Sequence, residues 1–207
     1  IEVYNDLDKE VVNFMRVLSN PSQRKRLIER LNPPLYSRSE YERCRKTHDE
    51  LAFSVERAAS FYILTTQSLN GRFKGNWSRA KCQNKAQTYA NRLELLEIAA
   101  KRLSKTIIEN QDFENVARFY DSADSLHYID PPYHPSSRNA PKCYVHEMDE
   151  GDHERLLSVI KELKGSVILS GYANKAYEDA LKGWYRKDIN VPCSARVMKN
   201  SGKNRPR

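Results

Sequence analysis

Asp130-Pro131-Pro132-Tyr133 closes an apolar run containing Leu126, Tyr128 and Ile129, the kind of run a buried strand makes. Two consecutive prolines hold φ near about −65° and remove two backbone donors. The carbonyls of Asp130 and Pro131 then have no local ladder to join and can face a ligand. A carboxylate, a free carbonyl and an aromatic ring converge. That set suits a flat heterocycle bearing an exocyclic amine: the oxygens accept from the NH2 group while the Tyr133 ring stacks on the face. A plain proline turn after a strand has the same local signature, so the surroundings must separate the two.

A second group of residues is chemically distinct. Between Glu56 and Glu94 there is no acidic residue, whereas Arg57, Arg72, Lys74, Arg79, Lys81, Lys85 and Arg92 all fall in that interval. Asn70-Gly71 and Gly75-Asn76 supply positions that tolerate positive φ, and Phe73 and Trp77 alternate with the cations, so Ser68 to Gln83 reads as an exposed loop. Together with a net charge of +8 and a pI near 9.3, this points to a polyanionic partner, with Arg72, Lys74, Trp77, Arg79 and Lys81 as the candidate residues to meet it. A solubilising loop is the competing reading.

The elements that must position these groups follow from periodicity. The 207 residues, 39% of them hydrophobic, suffice for one domain with a sizeable core and a smaller inserted subdomain. No apolar run is long enough to span a bilayer, and no signal-peptide pattern opens the chain, so a soluble, cytoplasmic protein is expected. Cys44, Cys82, Cys143 and Cys193 are scattered and read as reduced thiols. No metal-ligand spacing joins His127, His146 and His153, which read as surface or supporting groups, and no metal is expected.

Ile1 to Tyr4 is a strand candidate, Asp8 caps a following helix, and Pro21 starts another that runs to about Leu31. Ser37 and Glu40 form a capping-box signature that opens one long amphipathic pattern through Ile63. A helix follows from about Asn84 to Leu103. Then strands (Thr106 to Ile108, the run into Asp130, Ser166 to Leu169, Trp184 to Val191) alternate with helices near Glu114 to Tyr120, Asp152 to Leu163 and Asn174 to Leu181. Such alternation predicts a parallel α/β sheet with ligands at the carboxyl ends of its strands, interrupted by a mainly helical insertion. Three acids then stand at strand ends: Asp6, Asp112 and Asp130. The first can accept both ribose hydroxyls of an adenosine-containing cofactor, the second its adenine amine with Phe113 against the ring, and the third can serve the substrate. Each of the first two, taken singly, is also a common helix cap.

These segments resemble the Dam-type adenine-N6 DNA methyltransferases that carry the D-P-P-Y motif, particularly smaller phage and prophage members. The likeness rests on V-Y-N-D-L-D-K-E-V-V-N-F at Val3 to Phe14, S-L-N-G-R-F at Ser68 to Phe73, E-N-Q-D-F at Glu109 to Phe113, D-P-P-Y-H-P-S-S-R at Asp130 to Arg138 and L-S-G-Y at Leu169 to Tyr172. It implies a class I S-adenosyl-L-methionine-dependent fold with a Rossmann-like sheet. Residues 1–19 and 105–207 would form the catalytic core, and 20–104 the helical DNA-recognition insert. It further implies that Asp6 and Leu7 meet the cofactor's ribose and adenine, that Asp112 and Phe113 hold the adenine edge and face, and that Asp130, Pro131, Pro132 and Tyr133 form the catalytic loop. The partner implied is duplex DNA in a bacterial or phage-infected cell. The family's glycine-rich cofactor loop has no counterpart here, nor does the strand beyond a basic segment like Asn200 to Arg207, so a chain truncated at both ends is expected. An RNA base-amine methyltransferase and a catalytically inactive DNA-binding fragment remain as alternatives.

Overall fold

A computed structural model describes residues 1–137 and 144–189. Strand β1 (Glu2–Asn5) leads into helix α1 (Lys9–Ser19), whose start is fixed by Asp8 accepting from the Glu10 amide at 2.8 Å. Asn20 terminates α1 and at once caps α2 (Pro21–Leu31), where the proline occupies the first turn and loses no hydrogen bond.

The long amphipathic pattern expected from Ser37 to Ile63 is broken. Helix α3 (Arg38–Thr47) passes into a 3-10 turn at His48–Glu50, and α4 (Val55–Thr66) starts afresh from Ser54, which accepts from the Arg57 amide. The break tucks His48 fully inside, where Nδ1 lies 2.9 Å from the Ser60 hydroxyl. Helix α5 (Lys85–Leu103) returns the chain to β2 (Thr106–Glu109). Short helix α6 (Phe113–Phe119), β3 (Leu126–Ile129), α7 (Glu150–Glu162), β4 (Ser166–Leu169) and α8 (Lys175–Ala180) complete the described elements.

The four strands form two parallel pairs rather than the single sheet expected from their alternation with helices. β1 pairs with β2, and β3 with β4. The strand expected from Trp184 is absent over 184–189. There Gly183 adopts φ +94° and the Trp184 amide closes a turn on the Leu181 carbonyl, while Arg186 pairs with Glu178 and Asp188. Val191 lies outside the described residues, as do Cys143, Cys193, Arg138 and the basic segment 200–207.

Two apolar clusters hold these pieces. The larger joins α1 to α5 through Val17, Leu18, Leu27, Leu31, Tyr41, Leu64, Tyr89 and Leu96, so α1 shares its core with the helices that follow it. The smaller packs Leu156, Leu157 and Ile160 of α7 against Phe113, Ile129, Val167 and Leu169, which fixes the β3–β4 pair from one face. On the other face Leu126 and Tyr128 remain 64% and 67% exposed. Cys44 is buried and Cys82 exposed, both as free thiols.

Candidate active site

The β3–β4 register runs Leu126 opposite Ser166 to Ile129 opposite Leu169, so the next residues of the two strands, Asp130 and Ser170, emerge side by side. The Ser170 amide donates to the Ile129 carbonyl at 3.0 Å, and its hydroxyl donates to Asp130 Oδ1 at 2.6 Å. Asp130 is exposed, Pro131 is buried beneath it, and Pro132 and Tyr133 are half-buried. The Tyr133 ring meets Tyr172 edge to face with centroids 4.6 Å apart. Its phenol is pushed above the usual value, first by burial and then by the nearby Asp130 carboxylate. A carboxylate, a proline carbonyl and an aromatic ring therefore lie together at one strand end.

The chain leaving Tyr133 is held from behind. His134 stacks near His153, whose Nδ1 lies 2.7 Å from the Tyr177 hydroxyl, and Asn174 donates to Ser136 at 2.8 Å. His153 is buried rather than a surface group, and His127 ties to Asp121 at the far end of the strand pair, whereas His146 is exposed.

At the β1–β2 end the two carboxyl-terminal loops are laced together. Asp6 N donates to the Glu109 carbonyl at 3.4 Å, Asn110 Nδ2 to the Asp6 carbonyl at 2.7 Å, and Asn5 Nδ2 to the Gln111 carbonyl at 2.9 Å. Asp6 Oδ1 accepts from the Asp8 amide and Oδ2 from the Tyr4 hydroxyl, each at 2.9 Å. Leu7 beside it is 43% exposed. Asp112 caps α6 by accepting from the Glu114 amide and also forms a bidentate pair with Arg155, at 2.8 and 2.9 Å. That pair holds its carboxyl below the usual carboxylate range. The Arg155 guanidinium lies 4.4 Å from the centroid of the Phe113 ring. Asp112 is thus a helix cap, whereas Asp6 closes the turn ahead of α1 and leaves the capping to Asp8; both acids retain oxygen lone pairs on a half-exposed surface.

The basic loop is built on a closed neck. Ser68 pairs with Trp77 in an antiparallel bridge, Leu69 N donates to the Asn76 carbonyl at 2.8 Å and Ser78 N to the Gln67 carbonyl at 2.8 Å. Asn70, Gly71 and Lys74 all take positive φ, which is why Asn-Gly belongs there; Gly75 does not, and is needed instead because a Cβ on it would come within 2.9 Å of the Arg72 carbonyl oxygen. Phe73 and Trp77 turn inward: Phe73 packs on Phe61 and His48, and Trp77 packs on Tyr36 with Arg38 over its ring. Lys74 is held by Asp49 at 2.5 Å. Arg72, Arg79 and Lys81 stay exposed. Of the five candidate residues, three are therefore presented to solvent, while Trp77 and Lys74 brace the loop.

The sequence reading missed Arg155, Ser170 and Tyr172 as neighbours of the candidate residues. For Ser170 the signal was present: each parallel strand, Leu126 to Ile129 and Ser166 to Leu169, is followed at once by a polar residue, and parallel strands in register align their ends. Nothing in the sequence links position 155 to position 112.

Among the described residues no helix is long and apolar enough to cross a membrane. The family model described as D12 class N6 adenine-specific DNA methyltransferase matches residues 2–193. No curated protein matches the chain.

Proposed function

From the premise that the chain belongs to the D12 class N6 adenine-specific DNA methyltransferase family, we propose a mechanism in which Asp130 to Tyr133 receive an adenine turned out of the duplex. The chain is an adenine-specific DNA methyltransferase, and its reaction methylates DNA. An adenine amine is a weak nucleophile because its lone pair is delocalised into the ring. When Asp130 and the Pro131 carbonyl each accept one N6 hydrogen, the nitrogen pyramidalises and its lone pair is freed for attack. Positive charge would develop on N6 as the new N–C bond forms and the methyl–sulfur bond of the donor breaks with its electron pair left on sulfur as a thioether, and both oxygens face that charge. Asp130 then takes the N6 proton, leaving neutral N6-methyladenine. Tyr133, steadied by Tyr172, offers the ring on which the base stacks. Proximity of these groups at one strand end is the observation that carries the reading.

S-adenosyl-L-methionine supplies the methyl group as a sulfonium. The donor chemistry at the β1–β2 end fits its adenosine portion: Asp6 offers carboxylate lone pairs to ribose hydroxyls, with Leu7 exposed beside it. Asp112 and Phe113 suit an amine-bearing ring, since they already hold a planar N–H donor of that kind in Arg155. The helices of residues 20–104, with Arg72, Arg79 and Lys81 on their basic loop, form the DNA-recognition part set into a Rossmann-like methyltransferase core. We place the enzyme in the cytoplasm with its duplex substrate.

Asp130→Ala decides the reading. It should lower methyl transfer to an adenine-containing duplex on the order of 100-fold, the usual cost of removing one preorganised partner of a charged transition state, while duplex affinity stays nearly unchanged. A radiolabelled-methyl assay beside a binding titration measures both. Retention of more than about a tenth of the activity would exclude Asp130 as the principal N6 acceptor.

A further inference from the structure

We infer that Ser170 is a positioning residue for methyl transfer: its hydroxyl fixes the rotation of the Asp130 carboxylate and leaves Oδ2 turned to the substrate amine. The inference rests on the role given to Asp130 under Proposed function.

The outer torsion of an aspartate side chain has a broad, shallow preference, so a carboxylate at an exposed strand end swings freely unless something holds it. Asp130 is such a residue, exposed and just beyond the last paired rung of β3. Ser170 stands at the matching place beyond β4, and its backbone is fixed before its side chain acts, because its amide continues the ladder onto the Ile129 carbonyl at 3.0 Å. A hydroxyl has one proton to give. It lies 3.3 Å from the Ile129 carbonyl but 2.6 Å from Asp130 Oδ1, and the shorter, charge-assisted bond is the stronger of the two. Among the described residues no other group donates a hydrogen bond to the Asp130 carboxylate. Oδ1 is thereby occupied and Oδ2 is left for the incoming N6 hydrogen. Tyr172, two residues on, reaches the Tyr133 ring, so one short loop after β4 sets both the acceptor and the stacking platform.

Productive orientation of such an acceptor requires roughly 10–20° of angular precision. Losing the anchor should therefore slow the chemical step without weakening encounter with DNA or cofactor. Ser170→Ala is expected to lower kcat about tenfold, the cost of a hydrogen bond to a charged group, with KM for the duplex and for S-adenosyl-L-methionine within about twofold of wild type. The thermal midpoint should hold, and Ser170→Thr, which keeps the hydroxyl, should restore most of kcat. In an Asp130→Asn background, where the charge-assisted partner is gone, adding Ser170→Ala should change kcat by less than about twofold.

Three results would overturn the inference: an unchanged kcat in Ser170→Ala, a loss carried by KM or by the thermal midpoint and not recovered by Ser170→Thr, or a full tenfold loss persisting in the Asp130→Asn background. Activity surviving in Asp130→Ala, or no methyl transfer by the wild-type chain, would instead count against the assignment of the site itself. The two failures are therefore separable.

Discussion

Arg155 presents to Asp112 and Phe113 two N–H donors and a flat face over the ring; adenine shares the flat face and one such donor, its N6 amine, so it could take over one of the two hydrogen bonds. If the cofactor's adenine takes that place, the guanidinium must first withdraw. Its other partners, Glu114 and Asp152, lie within 3.3 Å and can keep it on the surface of α7 when it does. The side chains of Asp112 and Arg155 are 37% and 38% exposed, so solvent screens the pair and its worth is about 1 kcal/mol at most. Arg155→Met should accordingly tighten binding of S-adenosylhomocysteine by roughly fivefold in calorimetric titration. A weaker affinity would show instead that Arg155 orients Asp112 for the ligand. The acids at 6, 112 and 130 were legible in the sequence because each follows an apolar strand pattern; Arg155 was not, because it reaches Asp112 only through the docking of α7 on α6.

Glu40 shows the same limit at the level of whole elements. Ser37-x-x-Glu40 announces a helix start, and α3 does start there, with Ser37 accepting from the Glu40 amide at 3.5 Å. The Glu40 side chain, however, reaches Arg43 at 2.7 Å and Arg30 of α2 at 3.0 Å, tying two helices together. Hydrogen bonds from Arg43, and then from Arg30, lower its carboxyl from 4.5 to about 2. A folded value below the unfolded one means that this stabilisation is complete above about 4.5 and is lost as pH falls through about 2. Glu40→Gln should therefore be less stable than wild type in urea melts at pH 7, and the gap should close between pH 4.5 and 2. A gap constant with pH would assign the loss to packing. Local periodicity revealed one helical pattern from Ser37 to Ile63, but the turn that divides it into α3 and α4 depends on burying His48 beside Ser60. The run that the sequence reads as a strand from Trp184 finds no partner among the described strands.

Across the whole molecule, the charge excess of +8 is concentrated where acids are missing, and the sequence alone was enough to locate it. What it could not sort was which cations are spent within the fold. Replacing Arg72, Arg79 and Lys81 together by Ala should weaken duplex binding and reduce the slope of log K against log salt by about 0.9 for each phosphate no longer neutralised, whereas Lys74→Ala, already committed to Asp49, should leave the slope nearly unchanged. An unaltered slope in the triple variant would make the loop a solubilising feature. The closed neck of that loop gives the measurement its meaning. Gln67 is fully buried, donating to the Leu35 carbonyl at 2.9 Å, and Tyr36 and Tyr41 donate to the Ser78 and Gly75 carbonyls at 2.6 and 2.7 Å, so both ends and the bend are fixed in the free protein. Ordering a backbone residue costs roughly 1–2 kcal/mol of conformational entropy. Here that entropy is surrendered when the chain folds rather than when it meets DNA, and the salt slope reports released counterions unmixed with the ordering of a loop.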